Sequence, residues 1–465
     1  MSRPSRPTRP PRERVLVCGV RGLEGDAGND EDLDEACGLV AAAEGDVVGE
    51  GFLQRKTRAD PATLFGRGKV EEIQAEAARL HPDAIVVDND LTPAQVRNLE
   101  KAWDVRVVDR SELILDIFAR RAQTKQARLQ VELAQNEYLA PRLRRMWTHL
   151  ERTEGAIGTR GPGETQLETD KRLLKRRIQV LRDELREIEA RKQREVHARS
   201  ALFTIGLVGY TNAGKSTLLN RLTGATEFVA DQLFATLDTR TRQWRLRDGR
   251  TVLLSDTVGF LKRLPHHLVA SFHATLEETL AADLLLHVID ASHPRAASQI
   301  EAVEKVLEGV TRNARSAILV FNKIDRVDDR IGLQLLRSGR RQDAVYVSAV
   351  AGDGLDRLED LVVARLDARS SLVDVFVPFG DGKLDAALRR LAKPLEDEIS
   401  TERGERRMRV RLTPGALGIL QRLAGSALRW TMVEGARAED LDTPAGGAAA
   451  RREADRDAQR FAAGS

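Results

Sequence analysis

The stretch Gly209-Tyr210-Thr211-Asn212-Ala213-Gly214-Lys215-Ser216 decides the fold of the central part of this chain. It matches the phosphate-binding pattern, in which two glycines separated by four residues precede Lys and Ser. The apolar run before it, residues 203–208, predicts a buried strand, and Thr217 to Leu222 predicts the start of a helix. A strand, a glycine loop and a helix N-terminus aim backbone N–H groups and the helix dipole at one anion. The stretch therefore predicts a nucleoside triphosphate site.

Two side chains of this loop have predicted roles on the phosphates. Lys215 reaches the β- and γ-phosphates, and the Ser216 hydroxyl binds Mg²⁺. The alternative is a chance match, because a short pattern can occur without function in a chain of 465 residues. The motifs farther along the chain argue against chance.

The composition is that of a globular protein without a disulfide framework. Hydrophobic residues make up 42% and charged residues 31%, with 74 basic against 71 acidic side chains. A chain of this length is expected to form about three domains. The two cysteines, Cys18 and Cys37, lack a metal or redox spacing, which suits a reducing cytoplasm. The sequence shows neither a signal peptide nor a run of about 18 apolar residues, so we expect a cytoplasmic protein without stable membrane insertion, and leave a membrane-associated fraction open.

Changes in pattern along the chain predict four folded segments between two disordered tails. Alternating strand and helix patterns predict an N-terminal α/β domain, in which Thr92-Pro93-Ala94-Gln95 is a capping box. Around the glycine loop the alternation predicts a mostly parallel sheet with helices on both faces. A small α+β unit follows, with a predicted helix over Lys383–Asp397. The segments are a tail 1–13, the N-terminal domain 14–110, a helical linker with a glycine-rich loop 111–200, a nucleotide domain 201–368, a C-terminal domain 369–435 and a tail 436–465.

The linker combines an apolar seam with a basic surface beside the glycine-rich loop Gly155–Gly163, which cannot be a helix interior. Charged helix faces are usually solvated, yet two basic segments beside a glycine loop also suit nucleic-acid phosphates, and both interpretations stay open. The seam, which predicts packing on the two preceding helices, consists of Leu174, Ile178, Leu181, Leu185 and Ile188. The candidate nucleic-acid contacts are Arg160, Lys171, Arg172, Lys175, Arg176 and Arg177.

A second phosphate motif, Asp256-Thr257-Val258-Gly259, ends a predicted strand. A carboxylate there can hold a Mg²⁺-bound water, and the Gly259 N–H can reach the γ-phosphate because glycine permits close approach. Upstream of this motif, a mobile segment should supply a Thr that completes the Mg²⁺ shell in the GTP state. We select Thr236, within Phe234-Ala235-Thr236-Leu237-Asp238, because Thr239 and Thr241 better suit the following strand.

Two further motifs, Asn322-Lys323-Ile324-Asp325 and Ser348-Ala349, predict guanine as the base. Asp325 can accept hydrogen bonds from guanine N1 and the exocyclic amine, a donor pair that adenine lacks. Asn322 can reach O6 and N7, the Lys323 stem can cover the ring, and the Ala349 N–H can bind O6. A site of paired hydrogen bonds rejects a base that leaves them unsatisfied, so the chain is predicted to bind GTP.

Phe260, directly after Gly259, departs from the pattern of Ras-type GTPases. Those enzymes carry a Gln there that orients the attacking water, and Phe cannot form that hydrogen bond. Hydrolysis is therefore predicted to be slow, to need a partner surface, or to use a K⁺ ion at Asn212, as GTPases with a hydrophobic residue after the glycine and an Asn at that loop position often do. The predicted catalytic set is Lys215, Asn212, Thr236 and Gly259, with Mg²⁺ as cofactor and K⁺ as a hypothesis.

Five stretches in combination are specific for one protein family. They are Gly158-Thr159-Arg160-Gly161-Pro162-Gly163-Glu164-Thr165-Gln166-Leu167-Glu168-Thr169-Asp170, the loop Gly209–Ser216, Phe234–Asp238, Asp256–Phe260 and Leu64–Lys69. In this combination the chain resembles the HflX family of ribosome-associated GTPases, over about Val15 to Leu423. The resemblance implies binding of GTP and GDP, binding to the large (50S) ribosomal subunit and its rRNA, and stimulation of hydrolysis there. It also implies the splitting or rescue of stalled ribosomes under stress, and ATP hydrolysis is reported for some members. We expect a monomer when the protein is free.

Other classes of function remain compatible with the sequence. One is a GTPase of membranes or cell division, although no amphipathic anchor or lipid signal is visible. Another is a GTP-dependent regulatory or scaffold protein that acts on RNA or cell division with little hydrolysis. A third is an RNA-binding module in which the nucleotide is a minor regulator. Cosedimentation with ribosomal subunits in GTP-analogue and GDP states separates these classes.

Overall fold

The structure is a computed structural model of the chain. It describes residues 12–23, 32–142, 162–199, 202–225, 233–234, 240–257, 259–261, 282–310, 317–327, 332–333, 336, 342–401, 403–424 and 428–434. Two compact units divide the molecule. The first contains the described residues up to Ile188 together with Leu233 and Phe234, and the second contains those from Glu189 on, without that pair. Residues 1–11 of the first predicted tail and all of the second tail lie outside the described residues.

The first unit is built on a parallel sheet in which β4 joins β1 to β5, and β2 and β3 both pair with the other edge of β1. Its strands are β1 (Arg14–Arg21), β2 (Asp46–Val47), β3 (Phe52–Arg55), β4 (Ala84–Val87) and β5 (Arg106–Asp109). Its first helices are α1 (Asp34–Ala42), α2 (Arg67–Leu80) and α3 (Pro93–Trp103). The capping box predicted at Thr92 is present, because the Thr92 and Gln95 side chains each bond the other residue's backbone N–H. Local sequence therefore fixes where α3 begins.

Buried ion pairs fill the carboxyl end of this sheet. Arg21 at the end of β1 and Arg110 after β5 both bond the carboxylate of Asp88, which follows β4. Glu35 of α1 also bonds Arg110. Two arginines therefore face two carboxylates, so charges that would be costly to bury alone are paired.

Three helices follow the sheet, as the apolar patterns predict. They are α4 (Arg110–Arg121), α5 (Lys125–Leu139) and α6 (Pro162–Arg199). The predicted seam packs on one of the two preceding helices, because Leu181 and Leu185 of α6 are buried in one cluster with Leu129 and Leu133 of α5. One detail was wrong: Gly163, assigned to the loop, is the second residue of α6. Pro162 explains the difference, because proline is favoured in a first helical turn, where its missing N–H costs no hydrogen bond.

A six-stranded sheet carries the phosphate loop in the second unit. Its order is β11-β10-β9-β6-β8-β7, and only the β7–β8 pair is antiparallel. The strands are β6 (Thr204–Gly209), β7 (Arg240–Arg245), β8 (Thr251–Asp256), β9 (Leu284–Asp290), β10 (Ile318–Asn322) and β11 (Ala344–Tyr346). The helices are α7 (Lys215–Thr223), α8 (Ala296–Val310) and α9 (Leu355–Ala368), with a 3₁₀ turn at Ile324–Arg326. The predicted α/β class is confirmed, because the sheet is mostly parallel and the described connections from β6 and from β9 contain the helices α7 and α8.

The C-terminal segment has the strand and helix order of a split βαβ unit. Its elements are β12 (Ser371–Pro378), α10 (Gly382–Leu391), β13 (Pro394–Ser400), β14 (Glu405–Leu412), α11 (Pro414–Ala424) and β15 (Arg429–Glu434). They form an antiparallel sheet of order β13-β14-β12-β15. The core lies between this sheet and its two helices, where Val375, Met408 and Leu388 are fully buried. The predicted small α+β domain is confirmed.

The helix predicted over Lys383–Asp397 was wrong in its second half. It ends at Leu391, and β13 begins at Pro394. Proline cannot continue a helix because it lacks the N–H and clashes with the preceding turn. The acidic run Glu396–Glu398 pairs with the arginines of β14 across the sheet, a contact that the helical composition did not reveal. The division into domains at the predicted boundaries stays a prediction.

Candidate nucleotide site

The phosphate loop lies between the end of β6 and the start of α7, at the carboxyl edge of the sheet. The ends of β8 and β10 reach the same edge, because these strands run parallel to β6 or to its neighbour β9. Ligands of open parallel sheets bind at this edge. The topology thus brings the loop, the Asp256 motif and the Asn322 motif together, as the sequence predicts.

The glycines at both ends of the loop have no room for a side chain. Gly209 has φ +151°, and a Cβ there would lie 2.2 Å from the Val288 carbonyl oxygen. Gly214 has φ +90°, and a Cβ there would lie 2.2 Å from the Asn322 amide nitrogen. Between them Asn212 is exposed and has φ +61°, a conformation that Asn tolerates better than most residues. These steric constraints explain why the first and sixth positions of the loop are glycine.

Lys215 is buried and turned back along its own loop. Its Nζ donates to the carbonyl oxygens of Gly209 at 3.1 Å and Tyr210 at 2.8 Å. Burial lowers the pKa of Lys215 to about 8, and the nearby Asp256 carboxylate opposes this shift. The ammonium is thus poorly compensated without phosphates, and a nucleotide would supply the missing negative charge.

Ser216 and Asp256 form the candidate Mg²⁺ position. The Ser216 hydroxyl donates to Asp256 Oδ2 at 2.6 Å, and Asp256 is fully buried at the end of β8. Both oxygens are the hard donors that Mg²⁺ prefers. Within the described residues, no group of three His, Cys, Asp or Glu side chains could hold a metal. The pair fits Mg²⁺ bound by one or two protein oxygens plus substrate phosphates, as is usual for nucleotide sites.

Gly259 and Phe260 are joined to the phosphate loop by backbone hydrogen bonds. The Thr211 N–H donates to the Phe260 carbonyl oxygen at 2.8 Å, and the Phe260 N–H donates to the Gly209 carbonyl oxygen at 3.1 Å. The Phe260 side chain is only 2% exposed, so it is packed in the protein. A Cβ at Gly259 would lie 2.7 Å from the Thr211 Cα, which excludes any side chain. Gly259 therefore lies against the phosphate loop, which is the position that its predicted contact with the γ-phosphate requires.

Asn322 has partners that the sequence did not indicate. Its amide nitrogen donates to the Ala213 carbonyl oxygen at 2.9 Å, and its Oδ1 accepts from the Ala349 N–H at 3.0 Å. The Ala349 N–H, expected to bind guanine O6, is thus used by Asn322. Since Asn322 is 2% exposed, its amide acts first as a tie between the phosphate loop and the base loops.

Asp325 and Lys323 are also oriented by neighbouring side chains. The Ser348 hydroxyl donates to Asp325 Oδ1 at 2.6 Å, and the Lys323 ammonium lies 2.7 Å from Asp290 Oδ2. Asp290 was not predicted as part of the site, although its place as the last residue of β9 was a usable signal. Ile324 begins the 3₁₀ turn between these two charged residues. Two carboxylates and one ammonium therefore gather where the base is expected.

The remaining predicted residues separate into four groups. Thr257 is turned away from the site, because its hydroxyl donates to the Leu207 carbonyl oxygen at 2.7 Å inside the sheet. Phe234 is buried in the first unit, with its ring edge-on to Phe118 at 4.6 Å between centroids. Thr217, in the first turn of α7, is half-buried. The predicted residues outside the described part of the chain are Arg160, Ala235, Thr236, Leu237, Asp238 and Val258.

Comparison with known proteins finds matching family models, similar proteins and one similar solved structure. Three family models match: GTP-binding GTPase N-terminal over residues 30–119, GTP-binding GTPase Middle Region over 121–199, and 50S ribosome-binding GTPase over 204–323. GTPase HflX of Escherichia coli (strain K12) is 43% identical over 384 residues, which cover 82% of this chain and 90% of that protein. GTPase HflX of Caldanaerobacter subterraneus subsp. tengcongensis is 41% identical over 390 residues, which cover 83% of this chain and 89% of that protein. A GTP-binding protein of Sulfolobus solfataricus, solved with GDP, is 22% identical with a TM-score of 0.41, covering 76% of this chain and 98% of that one.

The fold and the phosphate loop define a P-loop GTPase, an enzyme that hydrolyses GTP to GDP and phosphate. The chain belongs to the HflX family of GTPases, since relatives above 40% identity match more than four fifths of it. The resemblance seen in the sequence is thereby confirmed.

The low pKa of Lys215 predicts that nucleotide binding takes up a proton. Phosphates favour the charged ammonium, so binding raises this pKa, and the free protein must gain the proton wherever Lys215 is neutral. With a free-state pKa lowered to about 8, proton uptake on binding should increase as the pH rises through this value. Calorimetric titration with GDP in buffers of different ionisation enthalpy measures this uptake. A proton uptake that stays flat as the pH rises through this value would contradict the assignment to Lys215.

Proposed function

We propose that this GTPase binds the large (50S) ribosomal subunit and uses GTP to split or rescue stalled ribosomes. The observation that carries the proposal is the match of residues 204–323 to the family described as a 50S ribosome-binding GTPase. The relatives named GTPase HflX, which share the N-terminal and middle regions, support the same role. The site geometry supplies the nucleotide chemistry, and α6 supplies a candidate surface for the rRNA.

On the phosphate side, the roles follow from charge and reach. Lys215 leaves its two carbonyl partners for the β- and γ-phosphates, while the Gly259 N–H donates to the γ-phosphate. Ser216 and Asp256 would hold a Mg²⁺ ion, which would neutralise phosphate charge, and Thr236 is proposed to complete its shell in the GTP state. Catalysis by such a site depends on positioning and electrostatic stabilisation more than on covalent chemistry.

On the base side, Asp325 is proposed to select guanine. Its Oδ1 already accepts one hydrogen bond from Ser348, which fixes the carboxylate orientation. The carboxylate can then accept from guanine N1 and the exocyclic amine. Asn322 is hydrogen-bonded to the backbone of Ala213 and of Ala349, and it thereby sets the distance between the base loops and the phosphate loop. ATP offers no donor pair to Asp325, so ATP hydrolysis stays a prediction from the family resemblance.

Asp325→Asn should exchange guanine preference for xanthine preference. The new amide replaces one acceptor by a donor, which matches the C2 carbonyl of xanthine, and its oxygen can still accept from Ser348. The GDP affinity should fall at least about 100-fold, and xanthosine diphosphate should bind more tightly than GDP. Fluorescent-nucleotide competition measures both affinities. Asp356→Asn, a control on the exposed start of α9, should change neither, and equal loss of both nucleotides in Asp325→Asn would refute base recognition.

The candidate rRNA surface lies on the N-terminal part of α6, which the first unit holds. Lys175 and Arg176 are exposed there, and within the described residues neither forms an ion pair. Arg177, by contrast, makes a two-pronged bond with Glu132 of α5, at 2.7 and 2.9 Å. Arg177 therefore fastens α6 to α5, and its reversal would disturb the arm itself. A variant that tests the rRNA surface should therefore leave Arg177 unchanged.

The double variant Lys175→Glu and Arg176→Glu should weaken binding to 50S subunits without altering GTP affinity. Reversing two cations beside rRNA phosphates removes counterion release and adds repulsion, so a loss of at least about tenfold is expected at low salt. Cosedimentation with 50S subunits, in a GTP analogue and in GDP, measures the binding. The matched control reverses Arg186 and Arg191, exposed residues of the same helix outside the candidate set, and should bind normally.

Two outcomes of that experiment have different meanings. If wild-type protein stays in the supernatant in both nucleotide states at low salt, the ribosome proposal fails and only the GTPase activity stands. If wild-type protein pellets and both double variants pellet equally, the protein binds ribosomes through another surface.

K⁺ is proposed as a cofactor of hydrolysis, held at Asn212. The buried Phe260 cannot orient water, and Asn212 is the exposed side chain of the phosphate loop, free of the packing that restrains its neighbours. Turnover should be at least about tenfold faster in K⁺ than in Na⁺, because a fixed cation stabilises charge developing on the phosphates. Asn212→Ala should abolish the difference. Equal turnover in both salts, unchanged by the substitution, would eliminate this role.

The cellular setting is also part of the proposal. No helix in the described part of the chain is long and apolar enough to cross a membrane. A ribosomal partner agrees with the proposed cytoplasmic location, and nothing observed supports a membrane-associated fraction. The monomeric free state stays a prediction, which light scattering of the purified protein would test.

A further inference from the structure

The Thr211 hydroxyl is a buried polar group for which the described residues supply no hydrogen-bond partner. Thr211 is 6% exposed, and its Oγ1 forms no hydrogen bond with any residue that the structure describes. Its backbone N–H is already used, donating to the Phe260 carbonyl oxygen at 2.8 Å. A buried hydroxyl without a hydrogen bond is unfavourable, so each such group in a native protein requires an explanation, and a catalytic role is one of those explanations.

This hydroxyl belongs to a residue at the point where three phosphate-site elements converge. The space that a Cβ on Gly259 would occupy lies 2.7 Å from both the Cα and the Cγ2 of Thr211. The same space lies 3.0 Å from Lys215 Nζ. Gly259 and Lys215 are the two residues assigned to the γ-phosphate. Thr211 therefore borders the volume in which the γ-phosphate and its attacking water are expected.

The reaction also lacks a water-orienting group at the usual place. Phe260 occupies that position, its side chain is 2% exposed, and both of its backbone hydrogen-bonding groups contact the phosphate loop. Moving Phe260 toward the phosphate would break two hydrogen bonds and still deliver no polar atom. The hydrogen bond to the water must come from elsewhere.

We propose that the Thr211 hydroxyl orients the attacking water for GTP hydrolysis. The hydroxyl accepts a hydrogen bond from the water, whose oxygen forms a bond to the γ-phosphorus. The bond between that phosphorus and the β–γ bridging oxygen breaks, and its electron pair leaves with GDP. One water proton stays on the oxygen that is now bonded to phosphorus, and the other passes to a phosphate oxygen. Thr211 therefore neither gains nor loses a proton. The role depends on the GTPase activity and is independent of ribosome binding.

Three substitutions separate the hydroxyl from the methyl group of Thr211. Thr211→Val keeps the shape and removes the hydroxyl, whereas Thr211→Ser keeps the hydroxyl and removes the methyl group. Thr211→Ala removes both, so the Ser and Ala variants differ by the hydroxyl alone. Their comparison stays valid if Thr211→Val packs poorly. Steady-state kcat and KM for GTP hydrolysis, GDP affinity and thermal unfolding are measured for each variant at one fixed K⁺ concentration.

The expected result is a kcat at least tenfold lower in Thr211→Val and Thr211→Ala, with KM and GDP affinity within twofold of wild type. Thr211→Ser should keep at least half of the wild-type kcat. The proposal is overturned if Thr211→Val and Thr211→Ala both hydrolyse GTP within twofold of wild type. It is equally overturned if Ser and Ala lose the same activity, which would assign the effect to methyl packing, or if the loss lies in nucleotide affinity.

Discussion

The carboxamide of Asn322 is the interaction on which the nucleotide site depends. Its two ends are joined to the Ala213 carbonyl and the Ala349 N–H, so one side chain links the phosphate loop to both base-recognition loops. The link also explains Gly214, since any side chain there would collide with the amide nitrogen, 2.2 Å from the position of a Cβ. Three segments that are far apart in sequence thus take fixed positions at the edge of one sheet. Because both bonds are buried, breaking them would leave unsatisfied groups that water cannot reach.

The phosphate half of the site has a second constraint, which affects the rate of GTP hydrolysis. Phe260 is joined to the phosphate loop through its backbone, and its side chain is packed in the protein. Chemistry must then be completed by groups on the loop itself, by an ion, or by a partner surface. Thr211 and Asn212, adjacent in the loop, offer a buried hydroxyl and an exposed amide for two of these purposes.

Much of the fold could be predicted because the decisive signals are local. The glycine loop, the capping box at Thr92 and the seam of α6 each lie within a short stretch, and each is where the pattern predicts. The strand at Pro394–Ser400 was missed because its acidic residues are stabilised by arginines of β14, a contact that only the folded sheet creates. The partners of Asn322 and the pairing of Lys323 with Asp290 are likewise tertiary. Residue types at the site were therefore predictable, whereas which groups satisfy one another was not.

The most direct test of the Asn322 tie is the nucleotide affinity of Asn322→Ala. The substitution leaves the Ala213 carbonyl and the Ala349 N–H without their partner, and each such loss costs about 1–3 kcal/mol. The site described here predicts that GDP affinity, measured by fluorescent-nucleotide titration, falls at least about 100-fold in a protein that remains folded. A GDP affinity within twofold of the wild type would contradict the central role given to this side chain.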